Sequence, residues 1–401
     1  MILCRGCQSQ QVKELLDVGR HPVSNRFLKC ASVEEIHYSL VMGQCRVCGI
    51  VQLTRLIPVD ELVPPYDWVI YNEPEGHLDS LVERLTWLPE INKRAVIAGI
   101  SYKEDTILQR FNRLGFDQTW RLDISSDLGI PASEAGIETI QDRLNSALVP
   151  SIVKKYGLAD MMIVRHVIEH AYNPIELINT LRRLIKPTGY LVFEVPDCTR
   201  LLEDLDYSTI WEEHLLYFTP ETFRNFFSYY QFSFVDYICY PYSHENSLVA
   251  IVQLSLEDSP IYPTQDALKL ETDRVNNFAR NLGAQKKRVR SFLSGYRKNH
   301  GKIAVFGAGH LACMFLNLMG IGEYIEFVVD DSPEKLGLYM PGSKLPVVGS
   351  QAIVDENIKL CLTALSPESE QKVMQKNKKF VELGGTFSSI FPSSPIALPI
   401  L

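Results

Sequence analysis

ADMMIVRHVIEH, residues 159–170, leads through a helical stretch into GYLVFEVPD, residues 189–197, and then into WEEHLLYFTPE, residues 211–221. An apolar strand that ends in a polar cluster, crosses over through a helix and returns as a second buried strand is a βαβ unit. Open sheets of such units bind ligands beyond the carboxyl ends of their strands. His166, His170, Asp197, Glu213 and His214 all fall just past a strand end or in the loop that follows. Titratable groups therefore gather on one edge, and an enzyme is the expected class.

Working outward, LDSLVERL reads as a short helix, RAVIAG as a strand, and DTILQRFNRLG as the helix after it. QTWRLD is the next strand, GIETI a candidate third, and NSALVPSIVKKYG a helix. Downstream, the helix PETFRNFFSYY precedes FSFVDYICY and SLVAIVQL, two strands suited to an antiparallel pair at the end of a parallel sheet. This order resembles the plan of the seven-stranded methyltransferases that use S-adenosylmethionine, and it sets a central α/β domain over residues 76–256.

With 401 residues, two or three domains are expected. The first segment, 1–75, carries Cys4-Arg-Gly-Cys7 and Cys45-Arg-Val-Cys48 among short strand-like runs. Each CxxC presents two thiolates to one metal, and two pairs complete the S4 set that zinc favours. The expected site is structural, with core thiols as the bland alternative. The last segment, 257–401, opens with the long helical stretch DALKLETDRVNNFARNLGAQKKRVRSFLSGYR as a connector. KIAVF then runs into Gly307-Ala-Gly309-His-Leu-Ala312, and IEFVVDD places Asp330 and Asp331 at the next strand end, which describes a second Rossmann-like unit.

Composition narrows the class further. Charged residues make up 22% of the chain and the net charge is −8, which argues against a nucleic-acid partner. No apolar run approaches a membrane span, and the start MILCRGC lacks the look of a signal peptide. A cytoplasmic protein with reduced cysteines is expected.

The parts in this order resemble a family of bacterial C-methyltransferases that act on nucleotide-linked 4-keto deoxysugars. The residues carrying the likeness are CRGC…CRVC, RHVIEH, FEVPD, WEEHLLYFTPE and FGAG…VVDDSPEKLGLYMPGSKLPV. The resemblance implies a zinc-binding domain, an S-adenosylmethionine-dependent methyltransferase domain and a Rossmann-like domain that helps hold a nucleotide-sugar. It puts His214 in the place of the catalytic histidine, with Glu213 beside it and Trp211 where the family has tyrosine. His166, His170 and Tyr71 are further candidates for the substrate cleft. Carbon methylation needs an enolate, and a histidine titrating near neutrality suits the base.

The cofactor is assigned to Gly99, Ser101, Asp105, Asp123 and Arg165. Ser101 and Asp105 stand where the family has glycines, and Asp105 also suits a helix N-cap. Asp123 is the expected acceptor for the ribose hydroxyls. Gly307, Gly309, Lys335, Gly337, Pro341 and Gly342 are assigned to the nucleotide-sugar.

Three other readings stay open. The fingerprint Gly307-Ala-Gly309 permits an NAD(P)-dependent oxidoreductase. The glycine-poor loop from Gly99 to Asp105 permits a relative that binds the sugar nucleotide without the methyl donor. His166-Val-Ile-Glu169-His170 also matches an inverted zinc-protease motif, although it emerges from a strand rather than a helix.

Overall fold

A computed structural model describes residues 2–66, 73–255 and 261–401. In the first segment β1 (Val12–His21) pairs antiparallel with β2 (Tyr38–Cys45), and β2 with β3 (Val51–Leu53). The two cysteine pairs sit at the ends of this small sheet, where the chain reverses after β2.

The central sheet follows from strands that are apolar on both faces. β4 (Ile97–Gly99), β5 (Thr119–Arg121), β6 (Ala159–Arg165) and β7 (Ile185–Pro196) run parallel. Residues 161–164 of β6 and 190–195 of β7 are buried without alternation, as strands covered by helices on both faces must be. After the two-residue strand β8 (Leu216–Tyr217) come β9 (Phe232–Tyr240) and β10 (Ser247–Leu254), which close the sheet antiparallel to β7. The order is β5-β4-β6-β7-β10-β9. Strand order reverses between β4 and β6, so the topological switch point lies there.

One expectation is corrected. GIETI forms no strand but the helix Ile137–Arg143, and the described sheet has six strands rather than seven. Ile137 and Ile140, three apart, are both buried, which is helical rather than strand periodicity.

β11 (Ile303–Phe306), β12 (Val328–Val329), β13 (Val347–Val348), β14 (Leu360–Thr363) and β15 (Thr386–Ser389) form a wholly parallel third sheet in the order β13-β12-β11-β14-β15. The connector is a 35-residue helix, Gln265–Asn299, that buries Val275, Phe278, Leu282, Val289 and Leu293 along one stripe.

The segments drawn from sequence do not stay apart. β8 belongs to the central segment yet pairs with β3 of the first. One continuous apolar cluster joins Leu40 and Leu53, Tyr207 and Tyr217, and Val289 and Phe315. Shared packing of this kind fixes the cleft between the central and last sheets. Among the described residues no helix is long and apolar enough to cross a membrane.

Candidate active site

Cys4, Cys7, Cys45 and Cys48 meet with all four sulfurs within 4.8 Å of one another. Cys4 Sγ lies 3.5 Å from Cys48 Sγ, and Cys7 Sγ 3.6 Å from Cys45 Sγ. Zinc–sulfur bonds of about 2.3 Å in a tetrahedron put the sulfurs roughly 3.8 Å apart. The thiolates therefore fit a zinc ion. Gly49, at φ +79°, lets the second knuckle turn where a side chain would be strained.

A cleft of about 430 Å³ opens between the carboxyl edge of the central sheet and the last sheet. Glu73, His166, Trp211, His214, Tyr242 and His310 are among the residues that line it. WEEH descends as a loop between β7 and β8, and the Trp211 ring stacks on His310 at 4.2 Å and 17°. His310 opens the helix His310–Met319, so this pair spans the two domains. Burial pushes the His310 imidazole down to about 4.

His214 faces the cleft with its ring 4.7 Å from His170 and 4.8 Å from Trp211. Its pKa is held well below the usual histidine range, first by burial and then by His170, against the pull of Glu73. A neutral imidazole at pH 7 can accept a proton. His170 Nδ1 lies 3.0 Å from Glu138. Glu213 is the opposite case: burial, then Glu138 and Glu212, push its carboxyl well above the ordinary range. Asn25 donates to Glu213 at 3.1 Å.

His166 behaves differently. It directly follows β6 at φ +51°, a conformation unusual for a residue with a side chain and found at functional sites. Its Nδ1 is 3.3 Å from Glu169 and its Nε2 3.4 Å from Glu194. Burial opposes the charge, but Glu73, Glu169 and Glu194 prevail and push the imidazole up to about 10. His166 and His170 do not share a helical face, because Ile168–His170 is a single 3-10 turn. The protease geometry is absent. Tyr71 lies outside the described residues.

At the cofactor loop most of the expected residues are engaged within the protein. Ser101 and Glu104 form a capping box around the turn Tyr102–Glu104. Asp105 is no cap; its carboxylate accepts from Arg121 Nε at 2.6 Å. The buried Arg165 guanidinium binds Glu194 at 2.6 Å and the Lys103 carbonyl at 2.7 Å. A Cβ on Gly99 would lie 2.6 Å from Glu104 Cβ.

Asp123 is also engaged, through Ser126 N at 2.7 Å, but differs in its exposure. It sits exposed just past β5, and hydrogen bonds from Ser126 hold it below the ordinary carboxylate range. Its carboxylate caps the helix Ile124–Leu128 and still presents an acceptor to solvent at this edge of the sheet. Of these features the Ser101…Glu104 box was readable as a capping signature; Glu194 and His310 lay inside quoted motifs without being singled out, and Glu138 carried no sequence signal.

In the last domain Gly307, at φ +107°, approaches Leu365 so closely that a Cβ would stand 2.7 Å from Leu365 Cδ2. Asp330 accepts from the Ala308 amide at 3.0 Å, and Lys335 Nζ binds both Ala308 O and Asp330. The acid of the dinucleotide fingerprint is thus directed at its own loop, which removes the feature that favoured NAD(P). Gly337 donates to Val347 O, Pro341 O accepts from Asn317, and Gly342 N donates to Glu35 of the first domain at 2.9 Å. Gly309 has open space around it and begins a helix with no side-chain cap.

Residues 4–62 match a family model described as a zinc binding domain, 68–237 one described as a methyltransferase domain, and 262–392 one described as a C-methyltransferase C-terminal domain. The chain is 23% identical to C-methyltransferase NovU of Streptomyces niveus over 400 residues, 96% of this chain and 94% of that one. Among solved structures, the 1,6-didemethyltoxoflavin-N1-methyltransferase of Burkholderia thailandensis, with bound S-adenosylhomocysteine, aligns with 45% of this chain and 77% of its own. It does so at 10% identity and a TM-score of 0.30. The glycopeptide N-methyltransferase MtfA, complexed with sinefungin, aligns with 46% of this chain and 95% of its own, at 8% identity and a TM-score of 0.31.

Proposed function

Because the chain belongs to the S-adenosylmethionine-dependent C-methyltransferases that join a zinc-binding, a methyltransferase and a C-methyltransferase C-terminal domain, we propose that it methylates a ring carbon of a nucleotide-linked 4-keto deoxysugar, with His214 as general base. The observation that carries this reading is a neutral imidazole on a cleft walled by both α/β sheets.

A ketone acidifies the proton on the neighbouring carbon. His214 removes that proton, and the resulting enolate carbon is the nucleophile. S-adenosylmethionine, when bound, supplies the electrophilic methyl group. His166, charged at neutral pH and on the same cleft wall, supplies positive potential for the enolate oxygen. Trp211, which stands where the family has a tyrosine, stacks on His310 and lines the cleft with it.

The described cleft lining holds no lysine or arginine. Two helix starts reach it instead, at His310 and at Ser366, and neither helix has a side-chain cap. The amides at the His310 start suit a diphosphate, whereas Pro367, first in the other helix, has no N–H to offer. NovU carries the name of a C-methyltransferase, which agrees with this reading.

The test is proton exchange. A 4-keto-6-deoxy sugar nucleotide incubated with the protein in D2O should take up deuterium beside the ketone, and with S-adenosylmethionine it should gain one methylene in mass. Exchange undiminished in His214→Gln would remove the base from this mechanism.

A further inference from the structure

The crevice between β4 and β6 is where an open α/β sheet receives its ligand. Here it is filled from within. Glu104 Oε2 accepts from Ile100 N at 3.2 Å, Ser101 N at 2.6 Å and Ser101 Oγ at 2.9 Å. Its Oε1 accepts from Arg165 N at 2.7 Å. One carboxylate thus ties the turn after β4 to the end of β6, and none of the residue is exposed.

Backbone amides that converge in this way make an anion site. We propose that Glu104 stands in the place of the methyl donor's amino-acid carboxylate, so that the donor is held through its adenosine and its amino-acid end is not gripped. The proposal rests on the donor reading above and specifies how that donor is recognised.

The surroundings of Glu104 hold it in place. Gly99 leaves room for Glu104 Cβ rather than for a ligand, since any side chain there would collide with it. Arg165 braces the turn that carries Glu104, through the Lys103 carbonyl on one side and Glu194 on the other. Lys103, the cation in that turn, is paired with Glu73 at 2.8 Å. A ligand carboxylate entering the crevice would have to displace one of like charge that already has four donors. The resident group also holds the advantage of being tethered. At the ribose end nothing comparable occurs, because the Asp123 side chain remains exposed.

The consequence is an unusual pattern of affinity. S-adenosylhomocysteine and 5′-methylthioadenosine share the adenosine and the thioether, but only the first has the amino-acid end. Calorimetric titration of the full-length protein should give dissociation constants within tenfold of each other. A preference for S-adenosylhomocysteine beyond tenfold overturns the proposal while leaving the donor reading intact. Failure of both to bind at millimolar concentration overturns the donor reading, and the proposal with it. In Glu104→Ala the four donors are released, and S-adenosylhomocysteine should tighten at least tenfold with 5′-methylthioadenosine unchanged. Unchanged affinity for both in a folded Glu104→Ala protein also overturns it. The wild-type comparison stands even if that variant does not fold.

Discussion

The turn after β4 and the turn after β11 follow parallel strands at equivalent places in two sheets, and the chain treats them in opposite ways. Both contain a glycine that packs against the protein itself, Gly99 on Glu104 and Gly307 on Leu365. Both have an acid folded back onto loop amides. After β4 the acid comes from the turn itself and occupies the donors that converge on the crevice. After β11 it comes from the next strand and braces only one amide, so Gly309 and the helix behind it stay open to the cleft. Two similar glycine motifs therefore describe one occupied edge and one available edge, and what separates them is where the internal carboxylate originates.

The largest expected effect is chemical. His214→Gln should lower kcat by about a thousandfold, within the usual range for a general base, with little change in the thermal midpoint. In the wild-type protein the depressed pKa of His214 should keep kcat/KM level from about pH 6.5 upward, with the acidic limb below that point. A limb centred above pH 7 would move the base elsewhere.

Next is His166. Its folded-state value of about 10 lies above the ordinary 6.5. The stability this contributes is fully present below pH 6.5 and is lost as the pH climbs through 10. The thermal midpoint of the wild-type protein should fall over that window, and in His166→Gln it should be lower and flatter there.

The glycines sharpen the comparison directly. Gly307→Ala meets both a positive φ and a close neighbour and should cost about 2–3 kcal/mol in urea unfolding. Gly309→Ala enters open space at φ −134° and should change stability by less than about 1 kcal/mol, while raising KM for the sugar nucleotide. Equal effects at the two positions would break the distinction between a packed and an available edge. A modest effect, on stability alone, is expected for Asp330→Asn. It loses one of several braces, costs about 1 kcal/mol, and leaves NADH fluorescence unchanged on mixing, as in the parent.

Much of the fold was legible because its signals are local. Buried strands such as MMIV and YLVF, the Pro174 and Pro220 helix starts and the paired CxxC knuckles all act within a few residues. GIETI misled because a short run rich in β-branched residues suits a strand, while Ile137 and Ile140, three apart, were in fact answering a helical pattern. The site was legible in part: RHVIEH and WEEH do converge on the cleft edge, and Asp123 lies at the end of β5.

From its residues alone this chain determined that there would be a zinc knuckle, two α/β sheets and a histidine-rich edge, because spacing and periodicity operate over short stretches of backbone. Only the tertiary structure decided which acids are free. Glu104, Asp330 and Glu138 read alike in a sequence. Their roles follow from whether backbone amides or an imidazole from other parts of the chain arrive within about 3 Å of them, and that is settled by tertiary packing.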